Sequence, residues 1–501
     1  MMNRRVVLAG WGQITQTKHE PEERIREPLE LMAEASCKAF EMTGSFDAQR
    51  NLNGVMVVKV MSRYYDAADR TLIEQMSLSP RFSMTSNIGG NSPQSLINKA
   101  AGMIARGELN SVLIAGAETY YPRDMSKSLQ GNRLFQGFPS DYNSDDIIGA
   151  TKTEERHGMI LPIHGFPLYE TALWAESGLP IKPYMRKIGA MWANFSRVGA
   201  DHLNSWSHIP RTVEEISTPS PSNRFIAFPY TKLMNPLVSV DMGAAILLMA
   251  EDNAKQYRSR GKKTVYFLGG GYAEDRQRFL IEKSDFTSSQ PLKAAVDKAL
   301  IRSNLSLDDI ECFDIYSCFP SSVSIAKKML KLNDDDPRSL TLTGGLGFFG
   351  GPGNNYTLHA VATLADAIEN GRVKNGMVTS LGWFMHKHAA GIYSSEPNET
   401  EIAYHDLEDQ KEPKVGNPPV DILDKASGRG IIETYTVVHS RDGSPSYAII
   451  YGKMENGLRF IAQNNPEQKD IFCLLESQNQ VGAGVVLKYS NTHEQNLAIL
   501  E

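Results

Sequence analysis

Apolar and polar residues alternate in blocks that predict strands and helices in turn near the start of the chain. The apolar run from Val6 to Gly10 predicts a strand, a helical pattern follows over about 28–44, and a second strand is predicted over 54–60. A helix is predicted over 91–107 and a strand over 112–116. Strands that alternate with helices of this length indicate a sheet with parallel pairs joined by crossover helices.

The same succession of elements returns in the second half of the chain. The strand pattern of Val6–Gly10 has a counterpart over 265–269, and the helix that Asn91 opens has a counterpart that Asn355 opens. A strand over 377–382 follows this second helix. Self-similarity at a fixed offset marks a repeated structural unit. We therefore predict a duplicated α/β core, with an N-terminal half over 1–255 and a C-terminal half over 262–395.

A long polar insertion interrupts the first half at about residues 120–236. It is too long for a bare loop in a compact domain, so we predict that it carries helices of its own and caps a site. One helix is predicted over 183–203, where apolar residues recur at three- and four-residue spacing. These residues are Tyr184, Ile188, Met191, Phe195 and Val198.

The composition changes after the second half. Residues 396–420 are acidic and contain proline, which is typical of a linker. Over 421–501 the pattern becomes that of short strands, and the turns Asp442-Gly443 and Asn456-Gly457 between apolar runs are strong hairpin signals. About five strands in this length indicate a small β-barrel, and we expect one of the OB type.

Charge and cysteine content exclude several classes of protein. A net charge of -6 and a pI near 6.1 lack the basic footprint of nucleic-acid binding. No apolar run approaches the length of a membrane helix, and no signal peptide is evident. The four cysteines are scattered and form no CxxC pair, which argues against a zinc ribbon or a disulfide framework. We expect a cytoplasmic protein with no nucleic-acid partner, membrane span or metal.

Several segments of the chain resemble motifs of the thiolase superfamily, specifically its sterol-carrier-type thiolase-like branch, whose members are often assigned as acetyl-CoA acetyltransferases. The resemblance covers roughly residues 3–395, and its most specific motif is the glycine-rich loop. The segments are Asn87–Ser92, Ile114–Glu118, Val240–Ala245, Tyr316–Phe319 and Gly344–Asn355. It implies a duplicated thiolase fold of five layers, α-β-α-β-α. The tail resembles the OB-fold domain that associates with such proteins, without that domain's four-cysteine zinc ribbon.

The same resemblance shows that the reactive side chains of thiolases are missing. Gly90 stands where active thiolases carry the nucleophilic cysteine, and Gly351 stands where they carry the histidine that activates it. The second, proton-shuttling cysteine falls near Leu381 or Gly382. Groups that act as a unit leave little chemistry when they are removed, so we do not expect thiolysis by the family mechanism.

Other groups remain as candidates for chemistry. Tyr316 stands where thiolases carry an Asn or His that orients a water in the oxyanion hole. Its hydroxyl would donate to an enolate oxygen or remove a proton, or it is simply a core tyrosine. His386 and His388 alternate along a predicted strand and would face one side, with Lys387 on the other. We favour His388 as the base in the pocket and place His386 at the solvent edge.

The glycines themselves predict a binding surface. Backbone amides at helix N-termini favour an anionic or carbonyl oxygen, so we predict an acyl-CoA and oxyanion pocket. Glycine in place of Cys and His would also enlarge this pocket for a bulky acyl group. Its residues are Gly90, Asn91, Gly351, Gly353 and Asn354. We expect coenzyme A thioester as substrate or ligand and no bound cofactor. Thiolases usually dimerise, so the resemblance also implies a homodimer.

Three functions follow from these observations. The first is a thiolase-like acyl-CoA-binding protein of lipid or sterol metabolism, nominally an acetyl-CoA acyltransferase. The second is an acyl-CoA retro-aldolase, a carbon–carbon lyase that uses Tyr316. The third is a non-catalytic acyl-CoA carrier or assembly subunit. Cys318 lies in the right neighbourhood for a nucleophile, but we expect it to pack in the core, as we expect of Cys312 and Cys37.

Overall fold

The computed structural model describes residues 4–122, 149–257, 262–398 and 414–501. In chain order the strands are β1 (Val6–Thr15), β2 (Gly54–Val57), β3 (Phe82–Thr85), β4 (Ser111–Thr119), β5 (Phe225–Ala227), β6 (Tyr230–Thr231), β7 (Asp241–Ala250), β8 (Val265–Glu274), β9 (Cys312–Asp314), β10 (Asn375–Gly382), β11 (Lys387–Ser394), β12 (Gly428–His439), β13 (Pro445–Met454), β14 (Arg459–Asn464), β15 (Gly484–Ser490) and β16 (Gln495–Leu500).

The helices alternate with these strands in both halves of the core. In chain order they are α1 (Pro28–Glu41), α2 (Phe46–Arg50), α3 (Ala68–Gln75), α4 (Ser92–Ala105), α5 (Lys152–Arg156), α6 (Pro162–Ser177), α7 (Ile181–Asp201), α8 (Val213–Ser217), α9 (Glu251–Ala254), α10 (Gln290–Ser303), α11 (Pro320–Leu330), α12 (Tyr356–Glu369) and α13 (Ile471–Ser477). A short 3₁₀ turn, Gly353–Asn355, leads into α12. No helix of the described ranges is long and apolar enough to cross a membrane.

Nine strands form one mixed sheet in the order β3-β2-β4-β7-β1-β8-β11-β10-β9. The two halves meet at its centre, where β1 pairs with β8 in antiparallel register. Parallel pairing lies at the edge of each half, in two pairs (β3–β2 and β2–β4) in the first half and one pair (β9–β10) in the second, and antiparallel pairs follow inward. This pattern confirms the predicted duplication. The second half contains a hairpin because only four residues join β10 to β11, and such a short connection permits antiparallel pairing alone.

Two buried helices lie between the halves of this sheet. Both α4 and α12 contact strands of each half, whereas α1 packs on β1 and β7 and α10 packs on β8 and β11. The five layers therefore run from α1 through one half of the sheet to α4 and α12, and then through the other half to α10. The predicted helix starts are confirmed, since Asn91 is the N-cap of α4 and Asn355 that of α12.

The insertion has its own helices, as its length predicted. The helix expected over 183–203 is α7, and Tyr184, Ile188 and Phe195 of its apolar stripe are buried. The neighbouring helix α6 is more deeply buried and contacts both α11 and the C-terminal strand β12. Residues 123–148 of the predicted insertion lie outside the described residues.

The C-terminal strands β12–β16 close into a five-stranded barrel. The order β13-β14-β16-β15-β12 is completed by pairing of β12 with β13, and the two predicted hairpin turns join β12 to β13 and β13 to β14. The short hairpin β5–β6 of the insertion adds to this sheet where Ala227 pairs with Val438. Residues 399–413 of the predicted linker lie outside the described residues, but Val415 already pairs with Asp275 of the core.

Candidate functional site

The N-termini of α4 and α12 meet in the middle layer. The Gly89 amide donates to Asn354 Oδ1 at 2.9 Å, and Asn354 Nδ2 donates to the Lys59 carbonyl at 2.8 Å. Thr357 Oγ1 donates to the Gly90 carbonyl at 3.3 Å. The structure thus brings together four of the predicted pocket residues, Gly90, Asn91, Gly353 and Asn354, around two helix ends whose amides favour an oxygen atom.

Tyr316 occupies the place of the side chain that Gly90 lacks. A Cβ atom at Gly90 would lie 2.2 Å from Tyr316 Oη and 2.5 Å from the Leu381 carbonyl oxygen. The expected enlargement of the pocket is therefore wrong at this position, because the phenol fills the space. The structure instead places a hydroxyl group at the N-terminus of α4.

The Tyr316 ring is held firmly in this place. Its backbone amide donates to Thr379 Oγ1 at 3.0 Å, and its ring meets Tyr356 edge to face at a centroid distance of 5.5 Å. Tyr356 in turn donates to Asp314 Oδ1 at 2.9 Å. Burial raises the pKa of Tyr316 well above its ordinary value. The phenol is therefore a neutral hydrogen-bond donor, and removal of a proton by its phenolate is disfavoured. Its hydroxyl has no hydrogen-bond partner among the described residues.

Gly351 differs from Gly90 because its surroundings leave room for a methyl group. The nearest atoms to a Cβ there are the Leu237 carbonyl oxygen and Pro236 Cβ, both at 3.5 Å, which is ordinary van der Waals contact. The Gly351 amide donates to that same Leu237 carbonyl at 2.9 Å. A methyl group therefore fits at Gly351 but not at Gly90, and the widening of the pocket on the α12 side stays a prediction.

Glu118 is a further residue at this site that the sequence analysis did not single out as a candidate. Its side chain is buried and accepts hydrogen bonds from the Met61 and Ser62 amides at 2.8 and 2.7 Å. A Cβ at Gly353 would lie 2.5 Å from Glu118 Oε1. Burial raises the pKa of this carboxyl to about 7. One signal was available, because a carboxylate directly after the apolar run of β4 is unusual unless it has buried partners.

His388 lies away from the two helix ends. Its Nε2 shares a hydrogen bond of 3.1 Å with Ser289 Oγ, the N-cap of α10 on the outer layer. The other face of β11 carries Tyr393, whose hydroxyl donates to Gln94 of α4 at 2.9 Å. Burial, followed by the nearby Lys283 ammonium, lowers the pKa of His388 to about 3. The structure therefore does not bring His388 together with Gly90 and Tyr316.

His386 is buried, so its expected place at the solvent edge is wrong. The segment Trp383–His386 is the turn between β10 and β11, and both Trp383 and Met385 have positive φ angles of 51° and 63°. Regular alternation therefore begins only at Lys387. Burial lowers the pKa of His386 well below its ordinary value, so the imidazole is neutral at physiological pH.

The cysteines offer no nucleophile at this site. Cys318 and Cys312 are buried as expected, and burial raises the pKa of each thiol to about 12. Cys37 is exposed, contrary to our expectation, because α1 turns the opposite face toward the sheet. Across the described ranges, no group of three His, Cys, Asp or Glu side chains could hold a metal ion.

Comparisons with known proteins place this geometry in context. The family model for the additional C-terminal domain of thiolase-like protein type 1 matches residues 413–491. A monomeric SCP2-thiolase-like protein type 1 from Mycobacterium smegmatis has a crystal structure 32% identical in sequence, which covers 100% of both chains with a TM-score of 0.82. A search of curated proteins returned no match.

Two more distant structures share the fold. The Ltp2–ChsH2(DUF35) aldolase is 15% identical, covering 79% of this chain and 99% of that chain, with a TM-score of 0.62. The acetyl-CoA acetyltransferase from Syntrophomonas wolfei is 14% identical, covering 79% of this chain and 100% of that chain, with a TM-score of 0.58. At such low identity these two matches show the fold alone.

Proposed function

This chain belongs to the SCP2-thiolase-like proteins of type 1, and we propose that it binds a coenzyme A thioester without being acylated by it. The family membership agrees with the resemblance to thiolases that the sequence motifs carry. The proposal concerns the site between α4 and α12. It places the protein in lipid metabolism, as a binder of acyl thioesters that lacks the transfer step of its acetyltransferase neighbour.

The position of the Tyr316 hydroxyl is the observation that carries this proposal. A nucleophile at residue 90 would need the space that Tyr316 Oη already fills, 2.2 Å from the Gly90 Cβ position. Cys318 does not replace this nucleophile, because burial raises the pKa of its thiol to about 12 and keeps it protonated. Covalent transfer therefore has neither a nucleophile nor the room for one.

A thioester carbonyl would fit the groups that remain. The Tyr316 hydroxyl is a neutral donor without a partner among the described residues, and it stands at the N-terminus of α4. A hydrogen bond from this hydroxyl and the field of the helix end both favour a carbonyl oxygen. Gly351, where a methyl group fits without a clash, would lie beside the atoms next to that carbonyl.

Calorimetry with acetyl-CoA and octanoyl-CoA tests the proposal. Gly351→Phe should abolish binding because its ring would crowd the proposed site, whereas the matched control Gly351→Ala adds one methyl group that the site accommodates. Tyr316→Phe removes one hydrogen bond, so it should weaken binding by up to about tenfold. Absence of binding to both esters at millimolar concentration would refute the proposal.

Carbon–carbon cleavage is the second candidate, and the unpartnered Tyr316 hydroxyl favours it. In a retro-aldol step the Cα–Cβ bond of a β-hydroxyacyl thioester breaks and its electron pair forms the enolate. The proton that leaves the β-hydroxyl is returned at Cα. Tyr316 would donate a hydrogen bond to the enolate oxygen, where charge develops. One structural neighbour is an aldolase by name, although that likeness shows the fold alone.

An assay for released aldehyde or ketone from β-hydroxyacyl-CoA, without free coenzyme A, distinguishes this candidate from binding alone. Tyr316→Phe should then lower the rate by roughly a hundredfold or more. If the parent protein binds β-hydroxyacyl-CoA but releases no aldehyde or ketone, the carrier function remains. The homodimer is a separate prediction, which analytical ultracentrifugation tests.

A further inference from the structure

Asn91, the N-cap residue of α4, carries a buried side-chain amide that no described part of the chain binds. The residue is 5% exposed, and its Oδ1 is buried without a hydrogen-bond partner among the described residues. The side chain does not cap α4 either. A buried acceptor without a donor is costly, and such groups are few in native structures. The amide of Asn91 therefore calls for a partner from outside the described chain.

Two glycines on separate segments make room for this amide. Asn91 Oδ1 lies 2.4 Å from the Cβ position of Gly89 and 2.3 Å from that of Gly382, the last residue of β10. A larger residue at either position would collide with the Asn91 side chain. The amide is thus closely accommodated by both segments and hydrogen-bonded to neither, which favours a role in binding over a role in packing.

The duplicated half provides a comparison within the same molecule. Asn355 is the N-cap of α12, as Asn91 is of α4, and its Oδ1 is also unpartnered and lies 2.1 Å from the Cβ position of Gly116 in β4. The Asn355 amide is nevertheless anchored, because its Nδ2 donates to the Gly116 carbonyl at 2.7 Å. Within the described ranges the Asn91 amide makes no equivalent bond to Gly382. One asparagine thus joins the two halves, and the other keeps its amide for a ligand.

Asn91 lies next to the proposed position of the thioester carbonyl. Tyr316 Oη is 2.2 Å from the Cβ position of Gly90, the residue that precedes Asn91. The Leu381 carbonyl oxygen is 2.5 Å from that same position, and Gly382, which contacts Asn91, follows Leu381. A ligand whose carbonyl oxygen meets the Tyr316 hydroxyl therefore has the amide of Asn91 close to the first carbons of its acyl chain.

We propose that Asn91 determines specificity by binding a hydroxyl group on the acyl chain near the thioester carbonyl. The inference rests on the proposed function, in which Tyr316 binds that carbonyl. A hydroxyl group both donates and accepts hydrogen bonds, so it satisfies the amide whether the oxygen or the NH₂ end meets it. A saturated chain satisfies neither end and leaves the amide buried and unpaired. The site should thus select hydroxyacyl thioesters over saturated ones of equal length.

Calorimetry with 3-hydroxybutyryl-CoA and butyryl-CoA tests the inference, because the two esters differ by one hydroxyl group. Both enantiomers of the hydroxy ester are measured. The parent protein should bind the better enantiomer about tenfold more tightly than butyryl-CoA, which is the effect of one good neutral hydrogen bond. Asn91→Leu keeps the bulk of the side chain and removes the amide, so this ratio should fall below about twofold. Asn91→Ala serves as a second variant in case the first does not fold.

Tyr316→Phe is the matched control, because it also removes one polar group from this site. It acts on the carbonyl that both esters share, so it should weaken both alike and leave the ratio as in the parent protein. Equal affinity of the parent protein for the two esters, or a ratio unchanged in Asn91→Leu, would overturn the inference and leave the proposed function intact. An equal loss for both esters in Asn91→Leu would also overturn it, since the amide would then contact a part that they share.

A second pair of probes separates this failure from failure of the proposed function. Thioesters of the same two acids with N-acetylcysteamine carry the acyl group and the thioester but no nucleotide. They should show the same ratio in the parent protein and lose it in Asn91→Leu. This pattern without binding of either CoA ester would support the role of Asn91 and refute the proposed function. Absence of binding by all of these thioesters at millimolar concentration would refute both.

Discussion

Replacement of Gly90 by alanine tests the central contact of the site, because the new methyl group has no room. It would lie 2.2 Å from Tyr316 Oη, 2.7 Å from Tyr316 Cζ and 2.5 Å from the Leu381 carbonyl oxygen. Comfortable contact between such atoms is about 3.5 Å, so the ring or the strand must move by about 1 Å. Overpacking of a rigid core costs about 1–3 kcal/mol, and two packed neighbours place this change near the upper value.

Replacement of Gly351 by alanine should instead raise the free energy of unfolding. Its new methyl group meets no atom closer than 3.5 Å, and no positive φ angle strains the backbone. Alanine in place of glycine at such a compatible position stabilises by about 0.4–1 kcal/mol, because it restricts the unfolded chain. The two glycines stand at corresponding helix ends, so each variant controls for the other.

Urea denaturation of Gly90→Ala and Gly351→Ala measures their difference in the free energy of unfolding. It is calculated from the shift in the urea midpoint, provided that the dependence on urea concentration is the same in both variants. A double-mutant cycle tests whether the loss of stability comes from the clash with the Tyr316 ring. Gly90→Ala should lower the free energy of unfolding by at least about 1 kcal/mol less in a Tyr316→Ala background than in the parent protein. The Leu381 carbonyl remains and keeps the cost above zero. Equal stability of Gly90→Ala and Gly351→Ala would refute the contact between Tyr316 and Gly90.

Three other predictions concern acylation of the protein, the buried carboxyl of Glu170 and the buried ion pair of Lys283 with Asp275. Incubation with acetyl-CoA and octanoyl-CoA should yield no acyl adduct by intact-mass spectrometry, and an adduct on Cys318 that free coenzyme A removes would restore transfer chemistry. Glu170 accepts hydrogen bonds from Tyr184 and Tyr230, and burial raises its pKa from 4.5 to about 7. Because the folded protein then holds this proton more tightly than the unfolded chain, stability falls as pH rises from about 4.5 to 7. Urea titrations at pH 5 and 8 measure this pH dependence, and Glu170→Gln should remove on the order of 3 kcal/mol of the decrease in the free energy of unfolding between them. A variant with the same pH dependence as the parent protein would contradict the raised pKa of Glu170. The ion pair of Lys283 with Asp275 is buried, so Lys283→Met should cost about 3–5 kcal/mol by the same titration, and Lys283→Met with Asp275→Leu should recover part of it. A cost below 1 kcal/mol for the single variant would show that the pair is solvated.

The repeated elements were predictable because they depend on local pattern. The starts of α4 and α12 at Asn91 and Asn355 follow from apolar periodicity, which the neighbouring residues alone determine, and neither asparagine side chain caps its helix. The hairpins of the barrel were predictable for the same reason, since Asp-Gly and Asn-Gly set the turn. These signals need no knowledge of which elements pack together.

The site itself depends on contacts between distant segments, and there the sequence was a weaker guide. That Tyr316 fills the space beside Gly90 depends on how the two halves of the sheet meet, which no local pattern states. His388 lies beside Ser289 of α10, and no local pattern states which face of a strand turns toward the helix ends. Family resemblance located the right loops but did not show at which of the two glycines a methyl group fits.

The pairing of Ala227 with Val438 has a consequence for synthesis of the chain on the ribosome. The hairpin β5–β6 emerges long before β12, since roughly two hundred residues separate the paired strands. At a synthesis rate of about 5–20 residues per second, this edge waits on the order of 10–40 s for its partner strand. Helix α6 waits longer, because 266 residues separate its Leu168 carbonyl from the Thr434 side chain of β12 that donates to it. The barrel strands thus complete a surface made early, and the nascent insertion is a candidate client for chaperones during that interval.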